Sequence, residues 1–148
     1  MKEDSSYDNF CEAFTQYLAK RNYRKTPERY AILECVYAQP SLFSAELLFN
    51  AMQSHKLYPV SLPTIYNTLE LLLNARLIVK HQIGNQQTLY RRNSGKANHH
   101  FFVCSKCGNV KEFSDKLIKD TVLSKRRKHF QISHYSLYLY GVCGRCKK

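Results

Sequence analysis

The sequence predicts an α+β fold of two small domains, the first rich in helices and the second a compact α+β unit. Three observations predict it. Apolar residues recur at helical spacing in the first half, two extended runs joined by a polar turn follow, and two CxxC pairs lie in the second half. The 148 residues, 44% hydrophobic and 23% charged, suffice to bury a core in each domain.

Four segments of the first half predict helices. Residues 8–20 form the first, because aromatic and aliphatic side chains recur there at helical spacing. The second begins with Thr26 as its N-cap, Pro27 at the first helical position and Glu28 near the positive end of the helix. We expect Pro40 to end this helix, since proline cannot continue it.

The third and fourth helices are predicted from Ser44 to near His55 and from Ser61 to Leu73. In the third helix, the residues expected to face the core are Leu47, Leu48 and Met52. In the fourth, the apolar stripe consists of Ile65, Leu69, Leu72 and Leu73. The opposite face carries Tyr66, Asn67 and Glu70. The fourth helix therefore presents an aromatic and polar face to solvent.

Two extended runs follow, residues 77–83 and 88–92, and the Gly-Asn-Gln-Gln segment 84–87 between them is typical of a hairpin turn. Helices that end in such a two-stranded wing form a winged helix-turn-helix, which we assign to residues 1–92. The short, polar, glycine-containing segment 93–97 predicts a hinge between domains.

Residues 98–148 predict the small α+β domain, in the order strand, strand, helix, strand. The strands are expected at 99–104, 110–113 and 132–143, and the helix from Asp115 to about His129. The helix is expected to turn inward Leu117, Ile118 and Val122. Both faces of the last strand are apolar or aromatic, which favours burial on both sides and suggests a partner subunit there.

A cytoplasmic location is expected, because no apolar stretch approaches the roughly 18 residues of a membrane span and the N-terminus lacks a signal sequence. In a reducing compartment, cysteines in regular pairs indicate a metal rather than disulfides.

Cys104 and Cys107 form one CxxC pair, and Cys143 and Cys146 form another, 35 residues further on. Each pair directs two thiolates at one point, and four such soft ligands complete a closed tetrahedral zinc site. We therefore predict one structural zinc ion per subunit, which stabilises a domain too small to be very stable alone. Two separate redox-active dithiols are the alternative interpretation.

The net charge is +12, from 23 basic and 11 acidic side chains, and a surplus of this size attracts polyanions such as nucleic acid. Twelve basic and 8 acidic residues precede Ala97, and 11 basic and 3 acidic residues follow it, so most of the surplus lies in the second domain. The run Lys-Arg-Arg-Lys at residues 125–128 falls in the predicted helix, where we interpret it as a solvated face.

The fourth helix carries residue types that read base edges in the major groove of DNA. Tyr66 can contact thymine methyl groups and Asn67 can pair with adenine through two hydrogen bonds, while Thr64 lies on the same helix. Arg24 and Arg29 are suited to phosphate contacts or minor-groove insertion. An exposed Tyr-Asn pair is also ordinary helix surface, but the wing after it and the basic residues before it favour DNA binding.

The chain resembles ferric uptake regulators from about Thr15 to Cys146, through the segments RKTPERYAILE, SAELLFNAM, SLPTIYNTLELL, HHFFVCSKCGNVKEFSD and SLYLYGVCGRC. The resemblance implies a homodimer that binds an A·T-rich palindrome in double-stranded DNA and represses metal-homeostasis genes when a regulatory metal, usually ferrous iron, is bound. It also implies that Tyr66 and Asn67 face bases and that Arg24 approaches the minor groove.

The resemblance locates two regulatory metal sites, and both are altered in this sequence. The positions of the sensing site hold Leu42, Arg91, His99, Phe101 and Glu112. Those of the second site hold Asn98, His100, Lys119 and Tyr135, with His134 displaced by one place. In the sensing site only His99 and Glu112 can ligate, so we expect neither iron nor manganese to switch this protein.

Two interpretations of His99, His100, Glu112 and His134 stay open at this stage. They are polar residues on a sheet surface, or they form a remnant or relocated metal site. Because His99 and His100 are adjacent in a strand and point to opposite faces, they are not expected to share an ion.

Two other function classes are alternatives to a DNA-binding repressor. A zinc-ribbon adaptor would bind nucleic acid or protein with no effector-controlled switch. A zinc enzyme such as a nucleobase deaminase would need an H-x-E motif and an open zinc position, and the sequence contains no H-x-E. We therefore predict that the protein is not an enzyme.

Overall fold

The structure is a computed structural model that describes residues 2–54, 58–83, 87–93, 98–132 and 134–147. The chain divides into two units, Met1–Asn93 and Ser94–Lys148. Within the described ranges, no helix is long and apolar enough to cross a membrane.

The first unit contains four helices: α1 Lys2–Lys20, α2 Pro27–Tyr37, α3 Ala45–Ser54 and α4 Leu62–Asn74. The first helix begins earlier than predicted. Its added turns are held by aromatic packing, because the rings of Tyr7 and Phe10 lie 5.0 and 5.4 Å from the ring of Tyr37 at the end of α2.

The predicted starts of α2 and α4 are confirmed by their caps. The hydroxyl of Thr26 accepts a hydrogen bond from the backbone N–H of Arg29, and that of Ser61 accepts one from the N–H of Thr64. Each helix has a proline in its first turn. These contacts satisfy backbone donors that a helix start would otherwise leave unpaired.

The core of the first unit brings all four helices together. Its fully buried side chains include Phe14, Leu18, Ile32, Leu33, Leu48, Ile65, Leu69 and Leu72. The prediction that Leu47 faces the core is wrong, because Leu47 is 44% exposed. Its neighbour Leu48 takes the inward position, and successive helical residues differ by about a quarter turn. Leu73 is only half-buried, and His55 lies outside the described residues.

The wing consists of β1 Ile78–Ile83 and β2 Gln87–Arg92, paired antiparallel from Ile78 opposite Arg92 to Ile83 opposite Gln87. Phe43, just before α3, exchanges two backbone hydrogen bonds of 2.9 and 2.8 Å with Tyr90 and so ties the wing to the helices. The winged helix-turn-helix is confirmed. Of the predicted turn 84–87, Gln87 belongs to β2 and the other residues lie outside the described ranges.

The second unit contains β3 His99–Cys104, β4 Val110–Phe113, α5 Lys116–Leu123 and β5 Ser136–Gly141. This confirms the predicted order of elements. The strands form one sheet in the order β4-β3-β5, with β3 antiparallel to β4 and parallel to β5. A parallel pair requires a crossover connection, and α5 lies within it.

The predicted helix to His129 is wrong, since α5 ends at Leu123 and is capped by Ser124, whose hydroxyl donates to the carbonyl of Thr121. Continuing it would place Lys125 and Lys128 three residues apart on one helix face, where like charges repel. The inward prediction is wrong for Leu117, which is 77% exposed, while Ile118 and Val122 are half-buried.

The predicted strand 132–143 is too long, because β5 spans only Ser136–Gly141. Its length matches that of its partner: His99 pairs with Ser136 at one end and Cys104 with Gly141 at the other. A strand extends only as far as the backbone groups it can pair with.

Candidate nucleic-acid interface and metal centres

The helix α4 presents Tyr66 and Asn67 to solvent and buries Ile65, Thr68 and Leu69 on its other side. The predicted division of its faces is therefore confirmed for these residues. Thr64 is half-buried, and its hydroxyl lies 2.8 Å from that of Ser61, so Thr64 contributes to the cap of the helix.

Tyr66 is held by a residue that the sequence analysis did not identify. Its hydroxyl donates a hydrogen bond of 2.6 Å to Oε1 of Glu46, in the first turn of α3. This hydrogen bond raises the pKa of the Tyr66 phenol and lowers the pKa of the Glu46 carboxyl. The phenol thus remains protonated and the carboxylate ionised, which is the pairing that the contact requires.

An open groove of about 750 Å³ lies between α3, α4 and the wing. Its lining comprises Ser44, Ala45, Glu46, Tyr66, Asn67, Glu70, Lys80, Thr88 and Tyr90. Donors and acceptors therefore face one another across a concave surface of the first unit. Of the residues that line it, Tyr66 and Asn67 are exposed on α4, and a helix is the kind of element that the major groove of DNA admits.

Arg24 and Arg29 differ in their surroundings. Arg24 is exposed, in the segment before α2. Arg29 is half-buried, donates a hydrogen bond to the carbonyl of Arg24, and has its guanidinium 6.0 Å from the centre of the Tyr23 ring. Arg24 is thus the more available of the two for a phosphate contact, and Arg29 supports its backbone.

The four paired cysteines converge in the second unit. Their four sulfur atoms lie within 4.8 Å of one another, and they belong to Cys104, Cys107, Cys143 and Cys146. The register of β3 against β5 explains this, because Cys104 pairs with Gly141 and Cys143 follows two residues later. The sulfurs of Cys107 and Cys143 are 3.7 Å apart. Tetrahedral zinc with bonds of about 2.3 Å places its sulfur ligands about 3.8 Å apart, so the arrangement fits zinc.

At Cys104 and Cys143 the protein backbone favours the thiolate form that a metal requires. Backbone N–H groups, first that of Cys107 and then that of Cys143, lower the pKa of Cys104 to about 6. The backbone N–H of Cys146 likewise lowers the pKa of Cys143. Hydrogen bonding to the sulfur of Cys143 raises the pKa of Cys146 to about 12. One cluster of four sulfurs supports a metal site over two separate dithiols.

The two ligating residues of the sensing positions are paired with each other. Nδ1 of His99 lies 3.2 Å from Oε1 of Glu112, and His99 is only 6% exposed. Phe101 pairs with Glu112 in the register of β3 and β4. It is fully buried and stacks on Tyr138 with 5.5 Å between ring centres. Of the remaining sensing positions, Leu42 and Arg91 belong to the first unit.

Three residues of the second set of positions are also joined directly. Nε2 of His100 lies 2.7 Å from the hydroxyl of Tyr135, whose backbone N–H donates to the side-chain oxygen of Asn98. His100 is 4% exposed, so the interpretation as sheet-surface residues is wrong for both His99 and His100. The rings of Phe113 and Tyr135 cover His100, with centres 5.2 and 5.6 Å from that of its imidazole. Glu112 is half-buried, while His134 and Lys119 are exposed.

Comparison with known proteins gives the same family along most of the chain. The model of the ferric uptake regulator family matches residues 20–140. The ferric uptake regulation protein of Synechococcus elongatus is 31% identical over 134 residues, which cover 88% of this chain and 90% of that protein. The peroxide-responsive repressor PerR of Staphylococcus epidermidis is 29% identical over 147 residues, which cover 99% and 96%.

A solved structure is similar as well. The ferric uptake regulator of Vibrio cholerae superposes with a TM-score of 0.68 at 30% identity, covering 86% of this chain and 98% of that one. The chain therefore belongs to the ferric uptake regulator family, whose proteins are transcription regulators of metal homeostasis and not enzymes.

Proposed function

We propose that this protein is a dimeric, sequence-specific repressor that reads an A·T-rich palindrome in double-stranded DNA with α4 and carries one structural zinc ion per subunit. The observation that carries the proposal is the exposed Tyr66-Asn67 pair on a capped helix next to a two-stranded wing. The same arrangement favours a DNA-binding protein over a zinc-ribbon adaptor.

Base reading is assigned to Tyr66 and Asn67. The ring of Tyr66 can pack against thymine methyl groups, and the amide of Asn67 can donate to and accept from adenine. Glu46 acts as a positioning residue, because its carboxylate fixes the phenol of Tyr66 from the neighbouring helix. Arg24 would contact phosphate or enter the minor groove, with Arg29 holding its backbone.

Dimerisation is assigned to the second unit. In the described part of the chain, β5 has β3 on one side and no strand on the other. Apolar side chains are exposed on and beside this edge, namely Leu139, Tyr140 and Val142. An open edge with exposed apolar groups is a surface that another strand can cover. A second copy of the chain would also match the two half-sites of a palindrome.

The four cysteines would hold zinc and leave it no open coordination position. A zinc ion bound there supplies a structural cross-link rather than catalysis. Cys104 lies at the end of β3 and Cys143 just past β5, so the site joins the ends of two neighbouring parallel strands. This stabilises the sheet on which the dimer surface lies.

Regulation by iron or manganese is proposed to be lost at both altered sites. His99 and Glu112 already satisfy each other, and His100 already contacts Tyr135. Any ion would have to displace these contacts and would gain too few ligands to bind tightly. An ion that binds weakly cannot supply the difference in affinity that shifts a two-state dimer.

The test is selection of duplex DNA from a random library by the zinc-loaded protein, followed by affinity measurements on the selected operator and on random DNA. We expect an A·T-rich palindrome. Tyr66→Ala and Asn67→Ala should each weaken operator binding by roughly 1–3 kcal/mol and spare random DNA.

Asn74→Ala is the matched control, because Asn74 is an exposed asparagine at the far end of the same helix. Equal losses on operator and random DNA for Tyr66→Ala would mean that α4 is not the reader. If the selection enriches no sequence, the repressor proposal fails.

A further inference from the structure

Residues 125–130 form a turn of unusual composition in the second unit, which we name the basic turn. Its first four residues are Lys, Arg, Arg and Lys, followed by His129 and Phe130. These cations do not lie on a helix, since α5 ends at Leu123. The backbone N–H of Phe130 donates to the carbonyl of Arg127 at 3.1 Å, and this hydrogen bond closes the turn.

The basic turn contains one residue with a left-handed backbone conformation. His129 has a φ of 66°, in the region where histidine is among the more frequent non-glycine residues. Here the conformation reverses the chain immediately after the four cations, so that they lie on an exposed corner of the second unit.

The cations of the basic turn are exposed, and within the described ranges none of them forms an ion pair with a carboxylate. The second unit has few acids to offer. Glu112 is paired with His99, and Asp115 caps α5 by accepting from the N–H of Ile118. Asp120, the third acid of this unit, is exposed on α5, so three carboxylates stand against the four cations of the turn and the other basic residues of the unit. Four adjacent like charges repel one another, and an external polyanion would relieve this repulsion.

Phe130 adds an apolar group to the same surface, because its side chain is 68% exposed. A large aromatic side chain beside several cations is typical of surfaces that bind nucleic acid, where the ring packs on bases or sugars.

We propose that the basic turn is a second nucleic-acid site, which binds the phosphodiester backbone without reading sequence. This proposal rests on the proposed function only in that both sites bind DNA. Binding by the basic turn needs no contribution from α4. Its contribution would be a salt-dependent gain in affinity that is the same for every sequence.

The test compares the zinc-loaded full chain with the Arg126→Ala/Arg127→Ala variant. Affinity is titrated against selected operator, random duplex and a single strand of the same length, from 50 to 200 mM salt. Each lost phosphate contact lowers the slope of log affinity against log salt by about one. We expect the slope to fall by about two for each subunit that contacts DNA, and so by about four for the dimer, on operator and random duplex alike.

Lys116→Ala/Lys119→Ala is the control, because it removes the same charge from exposed positions at the start of α5. A second variant, Lys125→Gln/Lys128→Gln, should reproduce the result of the arginine variant if the first one disturbs the turn. Zinc content is measured for each variant, because it must stay at one ion per subunit. The titration with a single strand tests whether bases bind as well as phosphates. A further loss of single-strand affinity in Phe130→Ala would mean that unpaired bases also bind.

An unchanged salt slope on every nucleic acid would overturn the proposal. So would an equal fall in slope for the Lys116/Lys119 control, which would mean that net charge alone matters. Binding of the wild type to anionic vesicles that the arginine variant loses, with no change on nucleic acid, would assign the turn to a membrane surface instead. Tyr66→Ala separates the two sites, because it should lose only the operator preference.

Discussion

The two units are stabilised in different ways. Among the described residues, 18 buried apolar side chains lie in the first unit and only three in the second, namely Phe101, Val103 and Cys104. In α5, all of whose residues are described, none is fully buried. The first unit therefore has a core of its own, whereas the second has few buried side chains and a cysteine cluster in which bound zinc would act as a cross-link.

The largest effect that would test this difference is loss of the zinc site. In Cys143→Ser, the second unit should unfold and the dimer should dissociate, because structural zinc contributes on the order of 10 kcal/mol of apparent folding free energy. The first unit should stay folded. Zinc content, light scattering at micromolar concentration and hydrogen exchange resolved by unit would measure the three outcomes. Cys11→Ser, outside the cluster, is the control.

A Cys143→Ser protein that kept its full zinc content and its dimer would contradict the assignment of the four cysteines. A wild-type protein that retained its zinc but was monomeric would instead contradict the dimer surface.

The converse test creates a cavity in the first unit. Leu72 is fully buried, so Leu72→Ala should destabilise the first unit by about 2–5 kcal/mol and leave zinc in place. Leu47→Ala, on the exposed face of α3, should cost less than about 0.5 kcal/mol. Denaturant unfolding measures both. Similar losses for the two variants would show that the core of the first unit is not where we place it.

A smaller effect is expected at Glu46. Removing its carboxylate in Glu46→Ala should lower the preference for operator over random DNA by roughly 0.5–1.5 kcal/mol, the net contribution of one hydrogen bond. Glu46→Gln removes the charge but keeps an oxygen that Tyr66 can donate to, so it should retain most of the preference. If both variants lose it equally, the charge matters and positioning of Tyr66 does not.

The smallest effect is expected from regulatory metals. Anaerobic titration of zinc-loaded protein with ferrous iron or manganese should change operator affinity by less than about twofold, because two ligands cannot hold an ion tightly. A gain of tenfold or more at micromolar metal, abolished by His99→Ala, would show that a working sensor survives in this chain.

What the sequence predicted well is local in origin. Thr26 and Ser61 mark helix starts because each cap bonds a backbone N–H three residues away, and the faces of α4 follow from spacing within one helix. The four cysteines were also predictable, since each CxxC pair carries its own geometry.

The errors concern features that depend on distant parts of the chain. The length of β5 is set by its pairing with β3, and the burial of His99 and His100 depends on side chains from other elements, such as Glu112 beside His99 and Tyr135 beside His100. Glu46 was missed because it meets Tyr66 from 20 residues away, on another helix. In the sequence, an acid in the first turn of a helix is common and does not indicate a contact with another helix.

The cysteine cluster also has a consequence for the entropy of the unfolded chain. Cys104 and Cys143 are 39 residues apart, and the N–H of Cys143 donates to the sulfur of Cys104. A covalent link closing a loop of that length would reduce the conformational entropy of the unfolded chain by the equivalent of about 4 kcal/mol. Bound zinc would give the same constraint without oxidation, so it acts where reducing conditions would open a disulfide. Because β4, α5 and β5 all lie inside the closed loop, release of the ion would free them together rather than one at a time.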